Sequence, residues 1–132
     1  MIEVVGAVLV SDGRLLMGLR AAHKAVAPGA WDLIGGHVEP GETPLQALRR
    51  EVSEELGVVV EAARQLEVLS FVHQDAPGRL HLFQVTAWRG TPAIANDEHV
   101  DLRWFSGSEL EAVTNLAFEA YREVFVRALA AS

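Results

Sequence analysis

Gly36-His37-Val38-Glu39-Pro40-Gly41-Glu42, then seven residues, then Arg50-Glu51-Val52-Ser53-Glu54-Glu55-Leu56-Gly57-Val58 is the stretch from which the rest of the chain is best read. Thr43 is a good N-cap, Pro44 falls at the first helical position and Gln46 sits three residues after the cap. Together they read as a capping box with proline in its favoured place. Gly57 is a natural left-handed terminator. The spacing therefore predicts a helix over 44–56. Leu45, Leu48, Val52 and Leu56 form its buried stripe. Glu51, Glu54 and Glu55 are three and four residues apart and share a neighbouring face. At about 100° per residue that face lies roughly a third of a turn from the apolar one, bordering the core without entering it.

Three like charges so close together destabilise a bare helix, and they lie toward its C-terminus, where the macrodipole disfavours anions. A bound cation relieves both penalties. Oxygen-only ligands suit Mg²⁺ or Mn²⁺ better than zinc. The plainer alternative is a solvated charged face on which Arg50 pairs with Glu54.

The spaced glycine, Glu42, Arg50 and the glutamates together resemble the Nudix box of the Nudix hydrolases, over residues 36–58 and at every fixed position of that motif. Trp31-Asp32-Leu33-Ile34-Gly35-Gly36 resembles the strand that leads into the box, with Ile34 where many members carry proline. Trp88-Arg89-Gly90-Thr91-Pro92, then Glu98 and Trp104-Phe105-Ser106, is similar to the MutT-like branch. The resemblance implies a Nudix-type α/β/α sandwich on a mixed central β-sheet. It also implies Mg²⁺-dependent hydrolysis of a diphosphate linkage, with Mn²⁺ able to substitute. Under it Glu51, Glu54 and Glu55 are metal ligands, Glu51 being also a candidate base. The Gly35 carbonyl is a further ligand, while Glu42 and Arg50 orient the glutamates. Gly36 permits close backbone approach.

Glu98, six residues before Trp104, matches a metal-binding or water-activating glutamate of MutT-like enzymes; beside Asp97 it also reads as a solvated loop carboxylate. Glu51 and Glu98 both remain open as the base. Arg20 closes a strand and is placed to reach a phosphate, or is a surface arginine. Asn115 loosely matches a base-recognising asparagine but reads better as a helix cap. His37, in what reads as a glycine loop, is within reach of a phosphate. Phe83, Trp88 and Tyr121 are base-stacking candidates, though aromatics at such spacings more often pack in a core. The five histidines show no paired zinc spacing.

The downstream marks of ADP-ribose, diadenosine polyphosphate and coenzyme A hydrolases are absent. The resemblance thus leaves a nucleoside triphosphate, including an oxidised purine nucleotide, cleaved to a monophosphate and pyrophosphate. The alternatives are another diphosphate (ADP-ribose, a nucleotide sugar or an isoprenoid compound) and a non-catalytic nucleotide-binding module. Many relatives dimerise, so a homodimer stays open.

Composition bounds these readings. The length of 132 residues predicts one domain spanning 1–132, and 50% hydrophobic residues argue against disorder. With 11 basic and 18 acidic residues the formal net charge is −7, which disfavours nucleic acid and anionic membranes as partners. No cysteine is present, which excludes disulfides and thiolate chemistry. With no signal-like start and no apolar run of spanning length, the expected location is the cytoplasm.

Along the chain, Ile2 to Val10 reads as a strand buried on both faces. Ser11-Asp12-Gly13 is a hairpin turn leading into a strand over Arg14 to Arg20. Val58 to Val60, Leu66 to His73, Leu80 to Trp88 and Leu102 to Phe105 read as further strands, with a turn over Gln74 to Gly78. Ser106 or Ser108 caps a short helix through Val113, and Thr114 or Asn115 caps a final one. Strands around one central and one terminal helix suggest an α/β sandwich.

Overall fold

The computed structural model describes residues 1–131. Its elements run β1 (Ile2–Ser11), β2 (Arg14–Arg20), β3 (Trp31–Asp32), β4 (Ile34–His37), α1 (Pro44–Leu56), β5 (Val59–His73), β6 (Ala76–Arg89), β7 (His99–Phe105), α2 (Gly107–Ala112) and α3 (Tyr121–Ala130). The mixed seven-stranded sheet is built around β1. Along most of its length β1 pairs parallel with β6, and over Val4–Ala7 it pairs antiparallel with β4. Its last residues turn through Asp12-Gly13 into antiparallel β2. Both turn residues have positive φ, as a two-residue hairpin requires.

Two apolar cores lie on opposite faces of this sheet. Val5, Ala7 and Leu9 of β1 point to one side, where they meet Ala47, Leu48, Val52 and Leu56 of α1. Val8 points to the other, toward Tyr121, Val124, Phe125 and Ala128 of α3. A strand with alternate residues in two cores must be apolar throughout, which accounts for the Ile2–Val10 run. Burial of Leu48 and Val52, both fully enclosed, contributes about 1.5–3 kcal/mol each and docks α1 on the sheet.

The predicted helix is found with its predicted ends. Thr43 Oγ1 accepts from the Gln46 amide, the Gln46 side chain accepts from the Thr43 amide, and Gly57 closes the helix in the left-handed conformation. The short helix α2 carries the same reciprocal cap through Ser106 and Glu109.

Four expectations are corrected. Gly35-Gly36-His37 is not a loop but part of β4, hydrogen-bonded to β1. The two strands expected over 58–73 are one long strand, bent by register shifts near Val60–Ala63 and Gln65–Glu67. The turn ahead of β6 is confined to Gln74 and Asp75, both at positive φ, so that Pro77 and Gly78 lie in β6. The last helix starts only at Tyr121 and has no side-chain cap: Thr114 and Asn115 lie well before it.

The β1–β4 pairing depends on the bareness of Gly35. A Cβ there would lie 1.9 Å from the Val5 carbonyl oxygen, a backbone atom that cannot move without breaking the ladder. Gly35→Ala is therefore expected to destabilise the fold by about 2 kcal/mol or more, read as a lower urea midpoint with unchanged slope.

Candidate active site

Three segments bring the acidic residues together. α1 presents Glu51 and Glu55 one turn apart, facing the glycines of β4. The β6–β7 loop is tied to the end of α1, where the amides of Ala93 and Ala95 donate to the carbonyls of Leu56 (3.3 Å) and Glu55 (2.9 Å). These bonds satisfy helix-terminal carbonyls and carry Glu98 toward the same spot. The Glu98 carbonyl also accepts from the Ala21 amide at 3.1 Å, which fixes the loop after β2 against it.

Arg50 organises the glutamates. Its guanidinium donates to both Glu42 oxygens (2.8 and 3.1 Å), to Glu51 Oε1 (2.8 Å), to Glu54 Oε2 (3.3 Å) and to the His37 carbonyl (3.0 Å). Such a fork is a geometry that lysine cannot reproduce. Hydrogen bonding to Arg50 holds the Glu42 carboxyl below the usual carboxylate range.

Glu55 does not border the core; it enters it, with 3% of its surface exposed. Its carboxyl is hydrogen-bonded to that of Glu51. Burial first, then Glu51, pushes it up to about 10, so it carries a proton at neutral pH. Glu55 Oε2 has no hydrogen-bond partner, and neither has the nearby buried His99 Nε2. His99 Nδ1 lies 3.5 Å from Glu55 Oε1. Burial, followed by the charge of Arg20, pulls His99 down to about 4. The imidazole fits only because Gly18 lies beside it: a Cβ there would be 2.5 Å from the ring. On the other side, a Cβ on Gly36 would lie 2.6 Å from the Glu51 carboxyl carbon.

A cleft of about 650 Å³ opens from these groups. Its lining combines Gly35, Gly36, Glu51 and Glu98 with the apolar Val4, Phe71, Leu80 and Phe118. Asp32, also in the lining, accepts from Tyr121 Oη (2.7 Å) and Arg20 (3.1 Å), and burial raises its carboxyl. Such a volume accommodates a nucleotide-sized molecule.

The sequence-derived candidates divide accordingly. Gly35, Gly36, His37, Glu51, Glu98 and Arg20 line the cleft, and Glu55 lines a smaller recess shared with Gly35, Gly36 and Glu98. Glu54 is more than half exposed and held only by Arg50, as in the plainer reading of that pair. Asn115 is neither a cap nor a cleft residue, because its Nδ2 donates to the Gly29 carbonyl at 3.0 Å. Asp32, His99 and Lys24 were missed. An acid inside the apolar run Trp31–Ile34 was a signal for Asp32, and no pattern marked the other two.

Among the described residues, no three carboxylate or imidazole groups are arranged to hold a metal ion as they stand. Arg50 occupies Glu51 and Glu54, and Lys24 occupies Glu98. The donor set nonetheless fits a hard cation: all donors are oxygens, one buried carboxylate oxygen is unpartnered, and Gly36 carries no side chain against Glu51.

The family model of the NUDIX domain matches residues 2–128. The CTP pyrophosphohydrolase of Escherichia coli K12 is 38% identical over 112 residues, covering 83% of this chain and 78% of that protein. The oxidized purine nucleoside triphosphate hydrolase of Danio rerio is 30% identical over 99 residues, covering 74% and 61%. The crystal structure of a MutT NUDIX hydrolase from Burkholderia pseudomallei superposes with a TM-score of 0.82 at 29% identity, over 95% of each chain.

The raised Glu55 carboxyl has a definite sign. Its folded value lies above the ordinary 4.5, so its contribution to stability is complete below that value and is lost as pH rises toward 10. In chelator the thermal midpoint of the parent is expected to fall between pH 6 and 9. Glu55→Gln, which mimics the neutral acid, is expected to flatten that slope. Cation binding at pH 7 should also release a proton, measured by calorimetry in buffers of different ionisation enthalpy.

Proposed function

We propose, on the premise that this chain belongs to the NUDIX family and is a Nudix pyrophosphohydrolase, that it hydrolyses nucleoside triphosphates to a nucleoside monophosphate and pyrophosphate with Mg²⁺, for which Mn²⁺ can substitute. The observation that carries this reading is the cleft, whose lining combines carboxylates and bare glycine backbone with apolar and aromatic side chains. That combination matches a molecule with a charged phosphate chain and a flat base. The likeness to enzymes named for CTP and for oxidized purine nucleoside triphosphates supports the triphosphate class.

In this reading Glu51, Glu55 and Glu98, with the Gly35 carbonyl, hold the cation, and Glu54 completes the set from the outer side. When bound, the cation neutralises phosphate oxygens and makes a coordinated water more acidic. Arg50 holds Glu51 in its orientation and so acts on the reaction through it. Gly36 lets the phosphates approach the backbone. Glu51 and Glu98 are the two carboxylates placed to take the proton of the attacking water. That water forms the new P–O bond, the bridging P–O bond breaks, and pyrophosphate leaves. Catalysis here is positioning and charge neutralisation, which suits a reaction whose transition state spreads charge over phosphate oxygens. His37 and Arg20 are placed along the phosphate path. Arg20 acts mainly by holding Asp32, since its Nε is already bonded to the Val26 carbonyl at 2.7 Å.

Pyrophosphate release from a panel of pyrimidine, purine and oxidised purine triphosphates tests the reading. ADP-ribose, a nucleotide sugar and an isoprenoid diphosphate serve as the competing substrates. Turnover is expected only with triphosphates and only with added cation; full activity in chelator would overturn it. Glu51→Gln is expected to lower kcat by about 10²-fold or more with the fold intact. Arg50→Lys should fall in the same direction but less far.

A further inference from the structure

The cleft holds a cation that the reading above leaves unused. Lys24, in the loop between β2 and β3, pairs its ammonium with the Glu98 carboxylate from 74 residues away. Both side chains are partly exposed, 23% for Lys24 and 38% for Glu98, and both line the cleft. Arg20, which lines the same cleft, and Arg50, which holds Glu51, are committed elsewhere. Arg50 is spent on Glu42, Glu51, Glu54 and the His37 carbonyl. Arg20 is spent on Asp32 and the Val26 carbonyl. Lys24 differs in that its ion-pair partner among the described residues, Glu98, is a carboxylate proposed to be required by the metal.

We propose that Lys24 is a phosphate-binding residue held in reserve by Glu98, exchanging its carboxylate for the phosphate chain of the substrate when Glu98 turns to the cation. This inference rests on the assignment of Glu98 given above. The exchange is energetically easy, because a partly exposed ion pair shifts an equilibrium by only about fivefold or less. An ammonium on a four-carbon stem is a mobile point charge able to change partners without moving the backbone. The loop itself is anchored, since the Ala21 amide donates to the Glu98 carbonyl and the Lys24 amide to the Ala21 carbonyl. Lys24 therefore stays beside the site after its side chain lets go. The arrangement also places a positive charge at the mouth of an acidic protein, where an anionic substrate otherwise meets repulsion. Cation and triphosphate should consequently bind with mutual reinforcement, each removing a competitor of the other.

The test uses the full chain, with Mn²⁺ titrated by electron paramagnetic resonance in the absence of nucleotide and a non-hydrolysable triphosphate titrated in the presence of Mg²⁺. Lys24→Ala is expected to bind Mn²⁺ about threefold more tightly and the triphosphate about tenfold more weakly, with KM raised to match and kcat within about twofold. Lys24→Arg should restore triphosphate binding. Opposite signs in the two titrations are what a purely structural role cannot produce. If Lys24→Ala leaves both affinities at the parent value, or moves both the same way, the inference is wrong. A parent protein that binds neither Mn²⁺ nor triphosphate would instead overturn the assignment of the site itself.

Discussion

The site is organised around a single electrostatic conflict: two carboxyls one helical turn apart, one of them enclosed by protein. Glu51 and Glu55 cannot both ionise in that position without large cost, because burial strips Glu55 of water and its neighbour has the same charge. A proton on Glu55 resolves the conflict. Arg50 limits it further by pinning Glu51 from outside while bonding Glu42 in two places. A divalent cation held there, as proposed above, would resolve it in another way, by replacing the proton with two positive charges.

The sheet supplies the walls that make the conflict possible. Parallel pairing of β1 with β6 leaves the other edge of β1 free for β4, whose glycines bring bare backbone against the carboxyls. No side chain larger than hydrogen fits at Gly35 against the Val5 backbone, and one at Gly36 would push the Glu51 carboxyl aside. Gly18 plays the same part for His99 from β2. The glycines here serve close approach within regular strands more than they serve turns, which explains why a glycine-rich stretch that resembles a loop is a strand.

The apolar lining of the cleft comes from pieces far apart in the chain. Phe71 comes from β5, Leu80 from β6 and Phe118 from the segment before α3. The Tyr121 hydroxyl reaches across 89 residues to Asp32, which joins α3 to β3 and keeps a buried carboxylate hydrogen-bonded.

Residues 43–57 could be read with their helix, caps and buried stripe because every relevant interaction spans four residues or fewer, and local chemistry decides such contacts. The same holds for the Asp12-Gly13 hairpin and for the Ser106 cap of α2. The box also disclosed that Arg50 would orient its glutamates, as its bonds to Glu42, Glu51 and Glu54 do. Residue order did not disclose that Glu55 would be buried, that Asn115 would bond Gly29 rather than cap a helix, or that Lys24 would find Glu98. Each of those outcomes depends on segments separated by 30 to 90 residues arriving at one place, and desolvation exists only after they have arrived. Charge, periodicity and capping are properties of short windows; proton affinity, ion-pair choice and cavity shape belong to the packed chain.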